Sequence, residues 1–175
     1  MIETALRYLQ KGASVIPVGK DKIPLIRWQE FQNRFPTEEE IRDWWTKFPE
    51  ANIGVITGKI SNITVVDVDK GGNWKKFPET DTVKTGGGGY HLYYQYYPFE
   101  NKARILPFTD IRGDGGYVVA PPSIHQSGNP YAVIKSPGKK PFPIEMFDNT
   151  KKNDWGNLFI GSGIGARNDT MTRII

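Results

Sequence analysis

The spacing of apolar residues divides the chain into short elements, with helical spacing first and strand-like runs after it. Ala5, Leu6 and Leu9 share one face of a helix, with Thr4 as its expected cap and Gly12 as its stop. Residues 14–18 read as a short apolar strand. Residues 19–28 read as a loop carrying Lys20, Lys22, Pro24 and Arg27. A second helix opens after Pro36. Thr37 is its cap, Glu40 closes a capping box, and Glu38, Glu39 and Glu40 sit at the positive end of the dipole. Ile41, Trp44, Trp45 and Phe48 then recur at helical spacing, which predicts a core-facing stripe rather than a base-stacking platform.

Strands follow. Residues 53–57 and 63–69 are rich in β-branched side chains, the composition of buried strands. A glycine loop at 84–89 leads into a strand over 90–97. Residues 117–120 form another, ending at Pro121-Pro122, and 131–134 one more. Helices first and mostly strands afterwards predict an α+β fold rather than a doubly wound sheet. From Pro137 to Asn157 the chain turns to Pro, Lys, Gly, Asn and Asp, the composition of a connector, and Gly165 to Ile175 read as a helix start. The expected organisation is one domain over residues 1–150. Residues 151–175 would hold the connector and the truncated start of a following helical domain.

Composition narrows the function classes. A chain of 175 residues buries about two-thirds of its unfolded surface, enough for a full core. The formal charge of +4 suits a polyanionic partner without demanding one. The absence of cysteine excludes disulfides and thiolate metal sites, so any metal must sit on oxygen or imidazole ligands. No apolar run approaches ~18 residues, and the N-terminus lacks a basic stretch followed by an apolar one. A cytoplasmic protein that does not enter a membrane is expected.

Three segments carry candidate chemistry. In Asp67-Val68-Asp69 the two acids lie two residues apart at the end of an apolar strand, so they share a face while Val68 points into the core. Such paired carboxylates repel unless a cation lies between them, and oxygen-only ligation suits Mg²⁺ or Mn²⁺. Nucleases and glycosyltransferases use the same spacing. In the run from Thr85 to His91, four glycines let the backbone approach a ligand, and their N–H groups form a candidate anion nest. Thr85, His91 and Lys84 would add a hydroxyl, an imidazole and a charge. The third segment runs from Asp110 to Tyr117. Asp110 and Arg112 share a face if it is extended, whereas Asp114 suits an Asp-Gly turn. His125, following Pro121-Pro122-Ser123, reads as a surface residue.

In this order the motifs resemble the bifunctional DNA primase/polymerase N-terminal (prim-pol) family of plasmids, phages and mobile elements, within the archaeo-eukaryotic primase superfamily. Asp67-Val68-Asp69 is similar to its first motif, Gly89-Tyr90-His91 to its second and Asp110 to its third. Lys22-x-Pro24 with Trp28, Asn52-Ile53-Gly54, Asp110-Ile111-Arg112-Gly113 and Ala120-Pro121-Pro122-Ser123 resemble the surrounding pattern. So does Gly165-Ala166-Arg167-Asn168, which is similar to the opening of the helical domain that often follows.

The resemblance implies a two-lobed fold, a small α/β module plus an RRM-like antiparallel sheet, with the site in the cleft. It implies template-directed nucleotidyl transfer, with a single-stranded DNA template, a primer and dNTP or NTP substrates. A downstream helical or helicase domain would complete the full-length protein. Asp67, Asp69 and Asp110 would hold two divalent ions. His91 and Arg112 would bind the β- and γ-phosphates, with Thr85, Gly88, Gly89 and Lys22 assisting. Relatives often carry serine where this chain has Gly89. Two other functions remain open on the residues alone. One is a different Asp-x-Asp metal enzyme. The other is a non-catalytic nucleic-acid-binding module that stacks bases on Tyr93, Tyr94, Tyr96 or Tyr97.

Overall fold

The strongest local signal in the sequence, the capping box, forms. In this computed structural model, which describes residues 1–148, the Glu40 N–H donates to Thr37 Oγ1 at 3.1 Å. The Glu40 carboxylate accepts the Thr37 N–H in return at 2.8 Å. Two α-helices are described, α1 (Ile2–Gln10) and α2 (Glu38–Lys47). In α2, Ile41 and Trp45 are buried and Trp44 packs edge-on against Phe31, as the stripe predicts. The expected cap at Thr4 is not used. Helix α1 begins at Ile2 after Met1, and the Thr4 N–H already donates to the Met1 carbonyl. Ile2 joins Leu6 and Leu9 against the core, so the apolar stripe begins two residues before the capping signal.

Nine strands follow in chain order: β1 (Val15–Val18), β2 (Asn52–Ile56), β3 (Ile63–Val68), β4 (Asp81–Lys84), β5 (Tyr90–Gln95), β6 (Lys102–Leu106), β7 (Thr109–Arg112), β8 (Tyr117–Ala120) and β9 (Ala132–Lys135). They build a three-stranded sheet, β1-β2-β8, and a six-stranded sheet, β6-β7-β3-β5-β4-β9. Every ladder between them is antiparallel. Two helices with two antiparallel sheets make the fold α+β, as expected. Strand β9 starts one residue later than expected. Strands β4 and β6 have no clear signal in the sequence. Asp81–Lys84 is too short to show a period. Lys102–Leu106 lies at a sheet edge with little burial, so no apolar alternation marks it.

Met1–Phe142 form one compact unit. Of the residues after it, 143–148 are described and carry a single 3-10 turn, Ile144–Met146. The expected boundary at residue 150, the far half of the connector and the helix start at Gly165 lie outside the described residues.

Alternation along the strands divides the core. Val15, Ile53, Val55, Val118 and Ala120, on one face of the small sheet, gather with α1, α2 and with Ile63 and Val65 of β3. Ile16, Val18, Ile56 and Val119, on the other face, gather with Phe31, Val83 and Tyr131. In β3 the opposite face holds Val66 and Val68, both at 0% exposure. Burying each stabilises the fold by roughly 1.5–3 kcal/mol. A one-residue slip would exchange these valines for Asp67, so burial pins the register.

The capping box gives the first prediction. Thr37→Ala is expected to lower the unfolding free energy by about 1 kcal/mol, read as a shifted urea midpoint at unchanged slope. No shift would mean that the cap contributes nothing.

Candidate active site

Residues directly opposite on antiparallel strands show their side chains on the same face. Asp110 of β7 stands opposite Asp67 of β3, which in turn stands opposite His91 of β5. Three neighbouring strands therefore lay two carboxylates and an imidazole in one row. Arg112 lies two residues along β7 on the same face, opposite Val65. Its Nη2 donates to Asp67 Oδ2 at 3.2 Å and to Asp110 Oδ2 at 2.7 Å, and its Nε donates to Asp67 Oδ2 at 3.3 Å. The guanidinium thus bridges the two acids.

Asp69 lies just past the end of β3, where its N–H donates to the Phe108 carbonyl. Burial pushes its carboxyl pKa up, and the negative charges of Asp67 and Asp110 push it further. Lys22 and Arg112 pull it back down without cancelling the rise. His91 is buried, with its Nε2 3.5 Å from Asp67 Oδ1, beyond ordinary hydrogen-bond length. Burial holds its pKa below the usual value against the upward pull of Asp67. The ring is therefore neutral at pH 7, and its buried Nδ1 has no partner among the described residues.

A cavity of about 860 Å³ opens over this row. The large sheet contributes Asp67, Asp69, Thr85, Gly89, His91 and Arg112. The small sheet and its loops contribute Lys22, Trp28, Tyr117, Val118 and Val119. Lys22 is held at φ 70° in a tight turn, and its carbonyl accepts the Tyr117 hydroxyl at 3.0 Å. Trp28 meets Tyr117 edge-on at 5.1 Å, giving the cavity an aromatic wall. Of the residues singled out in the sequence, Lys22, Asp67, Asp69, Thr85, Gly89, His91 and Arg112 line this cavity. Asp110 and Gly88 do not. Asp110 accepts the Arg104 N–H at 2.7 Å and lines a smaller neighbouring depression with Asp69.

The glycine run is a closed turn rather than a loose one. The Thr85 N–H donates to the Gly89 carbonyl, the Gly88 N–H to the Thr85 carbonyl, and the Gly89 N–H to Thr85 Oγ1. The Gly88 and Gly89 N–H groups are thereby used internally. The Gly87 N–H makes no hydrogen bond among the described residues, and Gly87 lines the cavity. Gly89 is required by close approach: a Cβ there would collide with the Val68 carbonyl oxygen and stand 3.3 Å from Asp69 Cα. The serine of relatives does not fit this backbone as it stands.

Two readings from the sequence change. His125, read as a surface residue, lines the cavity beside Gly87. It was missed because nothing local marks a loop histidine that folds back onto a distant turn. Tyr93 and Tyr94 of β5 offer no open stacking platform. Tyr94 is fully buried, donating to the Pro78 carbonyl and packing on Phe142, and the Tyr93 hydroxyl is enclosed.

The model of the bifunctional DNA primase/polymerase N-terminal family matches residues 5–146. The chain belongs to this family. No individually curated protein matches the chain significantly. The match spans every strand and every candidate residue of the Prim-Pol domain described above. Membership implies a primase/polymerase enzyme that acts on DNA and nucleotides. No helix among the described residues is long and apolar enough to cross a membrane.

Such enzymes typically use divalent metal. Among the described residues no three carboxylate or imidazole groups converge at metal-ligand distances. One oxygen of Asp67 and one of Asp110 are turned onto Arg112 instead. The donor chemistry still fits a hard cation: the candidate ligands are carboxylates, and burial, followed by the charges of Asp67 and Asp110, raises the Asp69 pKa.

That raised value can be tested. Asp69 binds its proton more tightly folded than unfolded, so its contribution to stability is present at acid pH and lost as pH rises through the raised value. In divalent-free buffer at pH 7, Asp69→Asn is expected to melt a few degrees higher than the wild type at most, the group being partly solvent-screened. The difference should vanish below the ordinary carboxyl range near ~4. Equal melting at both pH values would contradict the raised value.

Proposed function

We propose that this Prim-Pol domain extends a primer along a single-stranded DNA template by two-metal-ion nucleotidyl transfer. Asp67, Asp69 and Asp110 would serve as the metal-binding acids. The observation that carries this reading is the row Asp110–Asp67–His91, of which Asp67 and His91 line a cavity together with Asp69, Lys22, Arg112 and Gly87. Its volume falls within the ~300–1,000 Å³ range of small-molecule sites.

In the reaction the primer 3′-oxygen bonds to the α-phosphorus, the bond from that phosphorus to its bridging oxygen breaks, and pyrophosphate leaves. Two bound Mg²⁺ or Mn²⁺ ions supply activation of the 3′-hydroxyl and neutralisation of the pyrophosphate charge. The chain's own groups hold and orient the reactants. Asp67 and Asp69 present oxygens from one strand end, and Asp110 does so from the neighbouring strand. Arg112, which pairs with Asp67 and Asp110 in the free protein, is placed to turn its guanidinium onto phosphate oxygens when the acids take up cations. Lys22, Thr85 and Gly87 line the same space. His91, held neutral by burial, would donate a hydrogen bond to a phosphate rather than add a charge.

Residues from both sheets line the cavity, which supports a two-lobed reading with the site in the cleft. We further propose that the catalytic domain occupies residues 1–150 and precedes a helical or helicase domain in a protein of a mobile element. Template DNA and nucleoside triphosphates are found together in the cytoplasm, which supports that location.

Asp67→Ala combined with Asp69→Ala is expected to reduce Mn²⁺-dependent primer extension by more than about 10³-fold. The circular dichroism spectrum should stay that of the wild type. Undiminished extension by the folded double variant would refute the metal role.

A further inference from the structure

We infer that His125 is a second imidazole of the nucleotide site, binding the terminal phosphates of the triphosphate beside Gly87. The inference rests on the nucleotidyl-transfer reading and adds a residue to it.

The hairpin from Ser123 to Tyr131 positions this ring from both sheets. On the small-sheet side, Asn52 of β2 clamps Ile124: its Nδ2 donates to the Ile124 carbonyl at 2.8 Å and its Oδ1 accepts the Ile124 N–H at 2.9 Å. Ser123 Oγ accepts the Ile53 N–H at 2.9 Å. Within the hairpin, the His125 N–H donates to the Asn129 carbonyl, and the Tyr131 N–H to the Ser123 carbonyl. On the large-sheet side, Ser127 Oγ donates to the Gly86 carbonyl at 3.1 Å. Contact here is so close that a Cβ on Gly86 would collide with His125 Cβ and the Asn129 carbonyl oxygen.

This packing also orients the ring. His125 Nδ1 accepts the Ser127 N–H at 3.1 Å, so in the neutral ring the proton sits on Nε2. Nε2 lies 3.5 Å from the position of a Cβ on Gly87, on the cavity side of the glycine turn. Tyr131 stands between the two imidazoles, 6.0 Å from His91 and 6.3 Å from His125. The His125 Nε2–H therefore lies against Gly87 in the cavity wall, and the Gly87 N–H makes no hydrogen bond among the described residues. Neighbouring donors held rigidly before binding are what a phosphate group selects. Side-chain tethering of the glycine turn needs only Ser127 and Asn129, so it does not account for an imidazole lining the cavity.

The test is equilibrium binding of dATP and of dAMP with Mn²⁺, comparing wild type with His125→Ala, His125→Gln and Ser127→Ala. His125→Ala should weaken dATP binding about tenfold, the size of one hydrogen bond to a charged group, and leave dAMP binding within about twofold. His125→Gln, whose amide donates from a similar reach, should recover most of the loss. Ser127→Ala keeps the imidazole and should stay within about threefold of wild type. Unchanged dATP affinity in His125→Ala would overturn the inference while leaving the nucleotidyl-transfer reading intact. So would equal losses for dATP and dAMP, no recovery in His125→Gln, or a tenfold loss in Ser127→Ala. Failure of the wild type to bind dATP would remove both.

Discussion

The two-residue period of β3 is the constraint on which the rest depends. Val66 and Val68 are fully buried on one side of the strand, and Asp67 and Asp69 are thereby forced to the other. Burying the two valines is favourable and burying an ionised carboxylate in their place would be costly, so the acids do not turn inward. Strands β5 and β7 are registered against the same strand. Placing Asp67 therefore also places His91 on one side of it and Asp110 on the other.

The arrangement concentrates negative charge on the domain and compensates it only in part. Arg112 holds Asp67 and Asp110, while Asp69 is left with its proton bound more tightly than in water. His91 adds no charge, because burial outweighs the attraction of Asp67. Burial of Asp69 beside two other carboxylates thus costs stability at neutral pH, a local cost of the kind that functional sites carry. Arg112, bridging Asp67 and Asp110, limits the repulsion between them.

The second constraint is close backbone approach at the glycine turn. Gly89 lies against the end of β3 and Gly86 against the His125 hairpin, so neither position has room for a side chain. The turn thus links the acids to a hairpin that Asn52 and Ser123 anchor on the other sheet. Both walls of the cavity are in this way joined through backbone contacts, which keeps donors such as Gly87 in place.

Elements with their own period or cap were legible in the sequence: α2 from Thr37 and Glu40, β3 from its β-branched run, and β8 from its apolar stretch. That Asp67 and Asp69 leave the face of Val66 and Val68 was legible too, because strand alternation is a local property. Edge strands such as β6 were not, since exposure erases the apolar pattern. Other assignments depended on which distant segments meet. Thr85 closes its own turn, Asp110 faces Arg104 and Arg112, and His125 comes to rest on Gly86 and Gly87. Sequence by itself determined which side chains share a face, because that follows from backbone periodicity. Only the tertiary structure decided which of them share a cavity, because that depends on register and close contact between residues some forty positions apart.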